Sequence, residues 1–309
     1  MLEINIAGLK LKTPLILASG ILGVSSSVMN RLSKTGLGAV TTKSIGPHPR
    51  IGFKNPSIVE VQHGTFINSV GLGNPGIDNF IHEIKEFKKF NFPLIVSVFG
   101  HDDSTYIEVA SKAENAGADA IEINISCPHS EVACIGIDKV LTHNLVLKMK
   151  EKISIPLFVK LNPNVSDIVE IALAAEQGGA DALIAINTME AMAINIDTRR
   201  PILSHGSGGL SGKAIHHIAI KKVYDLFKRV HIPIIGCGGV SKWQDVIEFF
   251  LAGASAVQIG TFFYNGFEIL KEINDGLVSY LNQNNLKSIS ELIGLTHGFT
   301  TQEVPNFSD

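Results

Sequence analysis

Cysteine is scarce in this chain: three residues, an odd number, among 309. That argues against a disulfide framework and for a reducing, cytoplasmic setting. Cys127 and Cys134 lack the spacing of metal ligands, so no metal site is expected, and no cysteine-rich cluster motif occurs. Long apolar runs are missing too. No segment approaches the roughly 20 continuous apolar residues of a membrane-spanning helix. The start, Met1-Leu2-Glu3-Ile4-Asn5, has neither a basic region nor a long apolar one, so no signal peptide is expected. No long basic block accompanies the formal net charge of −3, which argues against nucleic acid as a partner. Finally, no G-x-G-x-x-G follows the first apolar strand, which weakens the case for a doubly wound open sheet.

Buried-strand sequence is abundant. Hydrophobic residues make up 45% of the chain and the mean hydropathy is +0.24, values that deeply buried parallel strands account for. Residues 2–11 alternate around Gly8 and predict a small hairpin. Apolar strands are predicted at 14–20, 39–44, 93–100, 120–125, 156–163, 182–188, 233–239 and 256–261. Helical patterns fall near 26–35, 77–90, 104–116, 137–152, 166–178, 213–230, 242–251 and 266–283. Small residues recur where helix passes to strand, as in Ala116-Gly117-Ala118-Asp119-Ala120 and Gly179-Ala180-Asp181-Ala182, because the helix end approaches the sheet closely there. Such alternation predicts an α/β fold, a (β/α)8 barrel in one domain over residues 1–309, with residues 300–309 as a flexible tail. Two Pro/Gly/Asn-rich excursions, 45–76 and 189–212, carry no helix signal and are expected to be active-site loops.

In such a barrel the chemistry sits at the carboxyl ends of the strands. Those ends supply Ser19, Lys43, Ser97, Asn124, Cys127, Lys160, Asn187, Thr188, Gly238, Gly239, Gly260 and Thr261. The stretch Asn124-Ile125-Ser126-Cys127-Pro128-His129 delivers an amide, a hydroxyl, a thiol and an imidazole within six residues of a buried strand. Cysteine is ordinarily a small core residue, but this cluster is hard to explain unless it lines a site. Lys43 and Lys160 at a barrel mouth are costly without an anion or electron-rich ring to receive them, unless their ammonium groups snorkel to water. Gly238-Gly239 and Gly260-Thr261 follow the last two strands, where backbone N–H groups converge on phosphate in many barrels, so a phosphorylated ligand is expected.

These motifs, with Lys43-Ser44, Asn68-Ser69-Val70-Gly71-Leu72-Gly73-Asn74-Pro75-Gly76, Lys160-Leu161-Asn162-Pro163 and Gly208-Gly209-Leu210-Ser211-Gly212, resemble the FMN-containing catalytic subunit of class 1 dihydroorotate dehydrogenases over nearly the whole chain. Ile186-Asn187-Thr188 is similar to the 1B type, whose partner subunit carries FAD and an iron–sulfur cluster. The resemblance implies that Ser19, Lys43, Ser44, Ser97, Asn124, Lys160, Ile186, Gly212, Gly238, Gly239, Gly260 and Thr261 hold FMN. Lys43, Asn68, Ser69, Val70, Gly71, Leu72, Asn124, Asn187 and Thr188 would hold dihydroorotate or orotate. Cys127 would be the base that removes the C5 proton while a hydride leaves C6 for the flavin. A homodimer is implied, extended to a heterotetramer by the electron-transfer subunit; the longer amino-terminal extension of the membrane-associated class is not expected.

Two positions depart from the family pattern, which has asparagine at both Ser97 and His129. His129 keeps a uracil-type dihydropyrimidine dehydrogenase open as a second reading. A non-catalytic phosphate-binding barrel, and an isomerase or aldolase with Lys160 as Schiff base, are the readings from other classes.

Overall fold

The computed structural model describes residues 1–125 and 135–299. An antiparallel hairpin of β1 (Ile4–Ile6) and β2 (Leu9–Leu11) opens the chain. β3 (Leu15–Leu17), α1 (Ser26–Leu32) and β4 (Ala39–Thr41) follow, then β5 (Ile58–Gln62), β6 (Thr65–Asn68) and α2 (Ile77–Lys88). The alternation continues through β7 (Leu94–Val98), α3 (Asp103–Ala116), β8 (Ala120–Asn124), α4 (Lys139–Lys150), β9 (Leu157–Lys160), α5 (Ile168–Gln177) and β10 (Ala182–Ala185). Four short strands come next: β11 (Met189–Ala191), β12 (Ile194–Asn195), β13 (Arg200–Pro201) and β14 (Gly208–Gly212). The run ends with α6 (His216–Phe227), β15 (Ile234–Cys237), α7 (Trp243–Ala252), β16 (Ala256–Ile259) and α8 (Ile269–Gln283).

Strands β3, β4, β7, β8, β9, β10, β15 and β16 close into a parallel barrel, each beside its neighbours in sequence order, as the alternation predicts. Every residue of these strands except Cys237 is buried. Burial on both faces is why they read as apolar runs and not as alternating strands. The polar residues they carry are Thr41, Ser97, Glu122, Asn124, Lys160 and Gln258, and all but Asn124 are joined to one another by hydrogen bonds. Asn124 joins the same network through Ser44. Buried polar groups persist where they find partners, and these find them across the barrel interior.

The recurring helix-to-strand phrase has a second role besides close approach. Asp119 Oδ2 accepts hydrogen bonds from the Leu94 N–H at 2.7 Å and from Lys88 Nζ at 2.6 Å. Asp181 repeats the arrangement one unit later, accepting from the Leu157 N–H at 2.7 Å and Lys150 Nζ at 2.6 Å. Each aspartate thus fastens the start of the preceding strand to the end of the helix before that strand.

The two excursions depart from the expectation of plain loops. β11, β14, β6 and β5 form one four-stranded sheet, with β6 pairing antiparallel to β14 from Asn68 opposite Gly209 to Thr65 opposite Gly212. Phe66 and Ile67, successive residues on opposite faces of β6, are both buried, so the sheet is covered on both sides there. It stands over the carboxyl ends of the barrel strands and walls the site.

Candidate active site

At those carboxyl ends a cavity of about 920 Å³ opens. Its deepest polar feature begins with Glu122, which is 1% exposed. Glu122 Oε2 accepts from Gln258 Nε2 at 2.8 Å, and Gln258 Oε1 in turn accepts from Lys160 Nζ at 2.5 Å. Lys160, 5% exposed, also donates to Cys237 Sγ at 3.2 Å. A buried ammonium and a buried carboxylate therefore face each other through one amide, which limits the cost of taking either out of water. Lys160, Gln258, Glu122 and Cys237 all line the cavity.

The other carboxylate oxygen of Glu122 organises a second branch. Oε1 accepts from Ser97 Oγ at 2.9 Å, so the Ser97 oxygen is left to accept from Ser44 Oγ, also at 2.9 Å. Ser44 Oγ then accepts from Asn124 Nδ2 at 2.9 Å and lies 3.3 Å from Ser19 Oγ. Ser19, Ser44 and Asn124 line the cavity. Ser97, fully buried, does not; it touches the site through its hydrogen bonds with Ser44 and Glu122. Tyr106, on α3, fixes the strand tip by donating its hydroxyl to the Asn124 carbonyl at 2.8 Å.

The Lys43 ammonium differs from that of Lys160 in having no hydrogen-bond or ion-pair partner among the described residues, although Lys43 lines the same cavity. Burial without a counter-charge pushes its ammonium pKa below the ordinary lysine value. The 68–72 loop borders the same cavity. Asn68 Nδ2 donates to the Gly209 carbonyl at 3.1 Å, holding the loop to β14. Gly71 and Leu72 turn the chain with φ of 75° and 54°. Ser69 Oγ is buried and has no hydrogen-bond partner among the described residues. Asn68 and 69–72 line the cavity, as do Asn187 and Thr188 from the end of β10. Asn187 Oδ1 accepts from the Thr188 N–H at 2.8 Å.

The glycine-bearing ends complete the lining. Gly238 and Gly239 take φ values of 140° and 69°, and Gly212 takes 83°. A Cβ on Gly212 would lie 2.0 Å from the Gly64 carbonyl oxygen, so only glycine fits there. The N–H groups of Gly239 and Gly260 have no acceptor among the described residues. Gly212, Gly238, Gly239, Gly260, Thr261 and Ile186 all line the cavity. Cys127, like His129 and Cys134, lies outside the described residues.

Sequence reading missed four contributors. Glu122 and Gln258 were hidden inside apolar strands, although a charge or amide in a doubly buried strand is itself a signal of an internal partner. Asn162 and Asn164 also line the cavity. Asn164 Nδ2 donates to Asn162 Oδ1 at 2.9 Å and its Oδ1 accepts from the Glu190 N–H at 2.8 Å, which ties the end of β9 to β11.

Comparison with known proteins agrees with this geometry. The profile of the family described as dihydroorotate dehydrogenase matches residues 1–281. A protein of Methanocaldococcus jannaschii named dihydroorotate dehydrogenase B (NAD(+)), catalytic subunit, is 47% identical over 304 residues, covering 96% of this chain and 98% of its own. One of the same name from Pyrococcus abyssi is 48% identical over 300 residues, covering 96% and 99%. Among solved structures, a DHODH from Eimeria tenella in complex with ferulenol superposes with a TM-score of 0.85 at 24% identity, covering 96% of this chain and 89% of its own, and shares the barrel fold.

Proposed function

The chain belongs to the dihydroorotate dehydrogenase family, as a catalytic subunit of its NAD-linked B type, and on that premise we propose that one cavity holds FMN and dihydroorotate together. The reaction is the oxidation of dihydroorotate to orotate in pyrimidine biosynthesis. The observation that carries the proposal is the unequal pair of lysines: Lys160 is anchored by Gln258 and Cys237, whereas Lys43 lines the same cavity unpartnered. Two cations in one cavity call for electron-rich ligands, and the one without a protein partner is free to receive a carboxylate.

The residues fit FMN on two observations. Amide N–H groups at Gly239 and Gly260 without acceptors suit phosphate oxygens. Polar groups at Lys160, Ser19, Ser44 and Asn124, oriented by these hydrogen bonds, suit a flavin's polar edge. Lys43, Ser97 through Ser44, Ile186, Gly212 and Thr261 complete the proposed cofactor set. When bound, FMN supplies the acceptor for the hydride from C6 of the substrate. Lys160 would stabilise negative charge developing beside it. Lys43, the 70–72 backbone and the buried Ser69 hydroxyl would take the substrate carboxylate, and Asn68, Asn124, Asn187 and Thr188 its amide edge. Cys127 would accept the C5 proton.

The relatives' naming as catalytic subunits supports a separate subunit for passing electrons to NAD. We propose that it carries FAD and an iron–sulfur cluster and docks on a homodimer of this chain, in the cytoplasm. Among the described residues no helix is long and apolar enough to cross a membrane. We read residues 1–309 as one domain. The test is direct: the purified protein should release one FMN per chain on denaturation, and orotate, not uracil, should perturb its flavin spectrum. A colourless protein that takes up no FMN would favour a non-catalytic barrel, and a response to uracil alone would favour the second substrate class.

A further inference from the structure

Behind the Gly238–Gly239 turn lies a histidine that the reaction does not use. His216 opens α6 and its side chain is 7% exposed. Its Nδ1 is 3.3 Å from the Gly238 carbonyl oxygen, and its Nε2 is 2.8 Å from Glu248 Oε2 on α7. The ring packs edge-on against Phe249. The contact with the turn is close: a Cβ on Gly239 would lie 2.7 Å from His216 Cβ. His216, His217 and Glu248 also bring possible ligand atoms within 4.8 Å of one another, but His216 Nε2 is already engaged with Glu248, so the ring serves the turn.

Two features make this more than packing. A carbonyl can only accept, so the contact with the Gly238 oxygen needs the hydrogen on Nδ1. And in a trans peptide the C=O and the following N–H point to opposite sides. Anchoring the Gly238 oxygen toward His216 turns the Gly239 N–H away from His216, and that N–H has no acceptor among the described residues. Two successive glycines leave this peptide free to rotate unless something holds it.

We propose that His216 is a positioning residue that locks the Gly238–Gly239 peptide with its N–H presented to the phosphate of the flavin. This rests on reading that turn as the phosphate site. The test compares FMN with riboflavin, which lacks the phosphate, in titrations of the flavin-stripped full chain. His216→Leu should weaken FMN binding by about tenfold or more, the worth of one buried charged hydrogen bond, and leave riboflavin binding unchanged. His216→Asn, which keeps a donor near Nδ1, should recover most of the loss. Where His216→Leu does not fold, Glu248→Ala carries the test, with a severalfold loss for FMN alone. Equal weakening of both flavins, or no weakening of FMN, would overturn the proposal. Failure of the unaltered protein to take up either flavin would instead overturn the flavin reading, and this inference with it.

Discussion

Glu122 accepts the Nε2 hydrogen of Gln258 at 2.8 Å, and that one bond decides which end of the amide meets Lys160. Were the amide reversed, its NH₂ would face the Lys160 ammonium, donor against donor. Because Glu122 also accepts from Ser97, a single buried carboxylate sets the direction of two hydrogen-bond chains that end at the cavity wall.

Glu122→Gln is the sharpest probe of that arrangement. A glutamine keeps one acceptor and puts a donor where the second acceptor was, so the Ser97–Ser44–Ser19 chain persists only with its hydroxyls reversed, and neither remaining bond is to a charged group. The expected loss is about 1.5–3 kcal/mol of stability, the worth of one hydrogen bond to a charged group. Chemical denaturation of flavin-free protein measures it. An unchanged midpoint would mean that the carboxylate does not direct the network.

Lys43 carries the opposite situation, a cation held without a partner. Burial lowers its pKa, so the cost of its charge is fully present below the folded-state value and is relieved as pH rises through that value. Lys43→Met should therefore leave the unliganded protein at least as stable at neutral pH. Orotate binding should weaken roughly 10–100-fold, because a charged hydrogen bond to the carboxylate is lost. In the unaltered protein orotate affinity should fall with rising pH earlier than an ordinary lysine would allow. Undiminished orotate binding by the variant, measured by flavin difference spectra, would remove Lys43 from the substrate site.

The barrel was readable in the sequence because its strands are buried on both faces and leave long apolar runs. Lys43, Lys160 and the late glycines were readable because they sit at the ends of those runs. The four-stranded sheet was not, since its central pairing joins Asn68 to Gly209, 141 residues apart, through a glycine-rich strand with little strand propensity. Ser97 illustrates the remaining gap. Its place near a strand end suggested a cofactor contact, but its side chain faces Glu122 and Ser44 inside the barrel, a direction that one sequence does not specify.

Cys127→Ser tests the proposed base. A free thiol titrates near pKa ~8.5, whereas a serine hydroxyl stays protonated far above neutrality. Flavin reduction by dihydroorotate should slow by about 10²–10⁴-fold at pH 7 and climb at higher pH, with FMN and orotate still bound. Undiminished speed in stopped-flow measurements would exclude Cys127 and direct attention to His129.

The most direct measurement is anaerobic mixing of the purified chain with dihydroorotate, following the flavin absorbance and the orotate formed. The expected result is bleaching of the flavin with one orotate per flavin, and little reduction of added NAD until an electron-transfer subunit is supplied. A flavin that stays oxidised with dihydroorotate but bleaches with dihydrouracil would contradict the account.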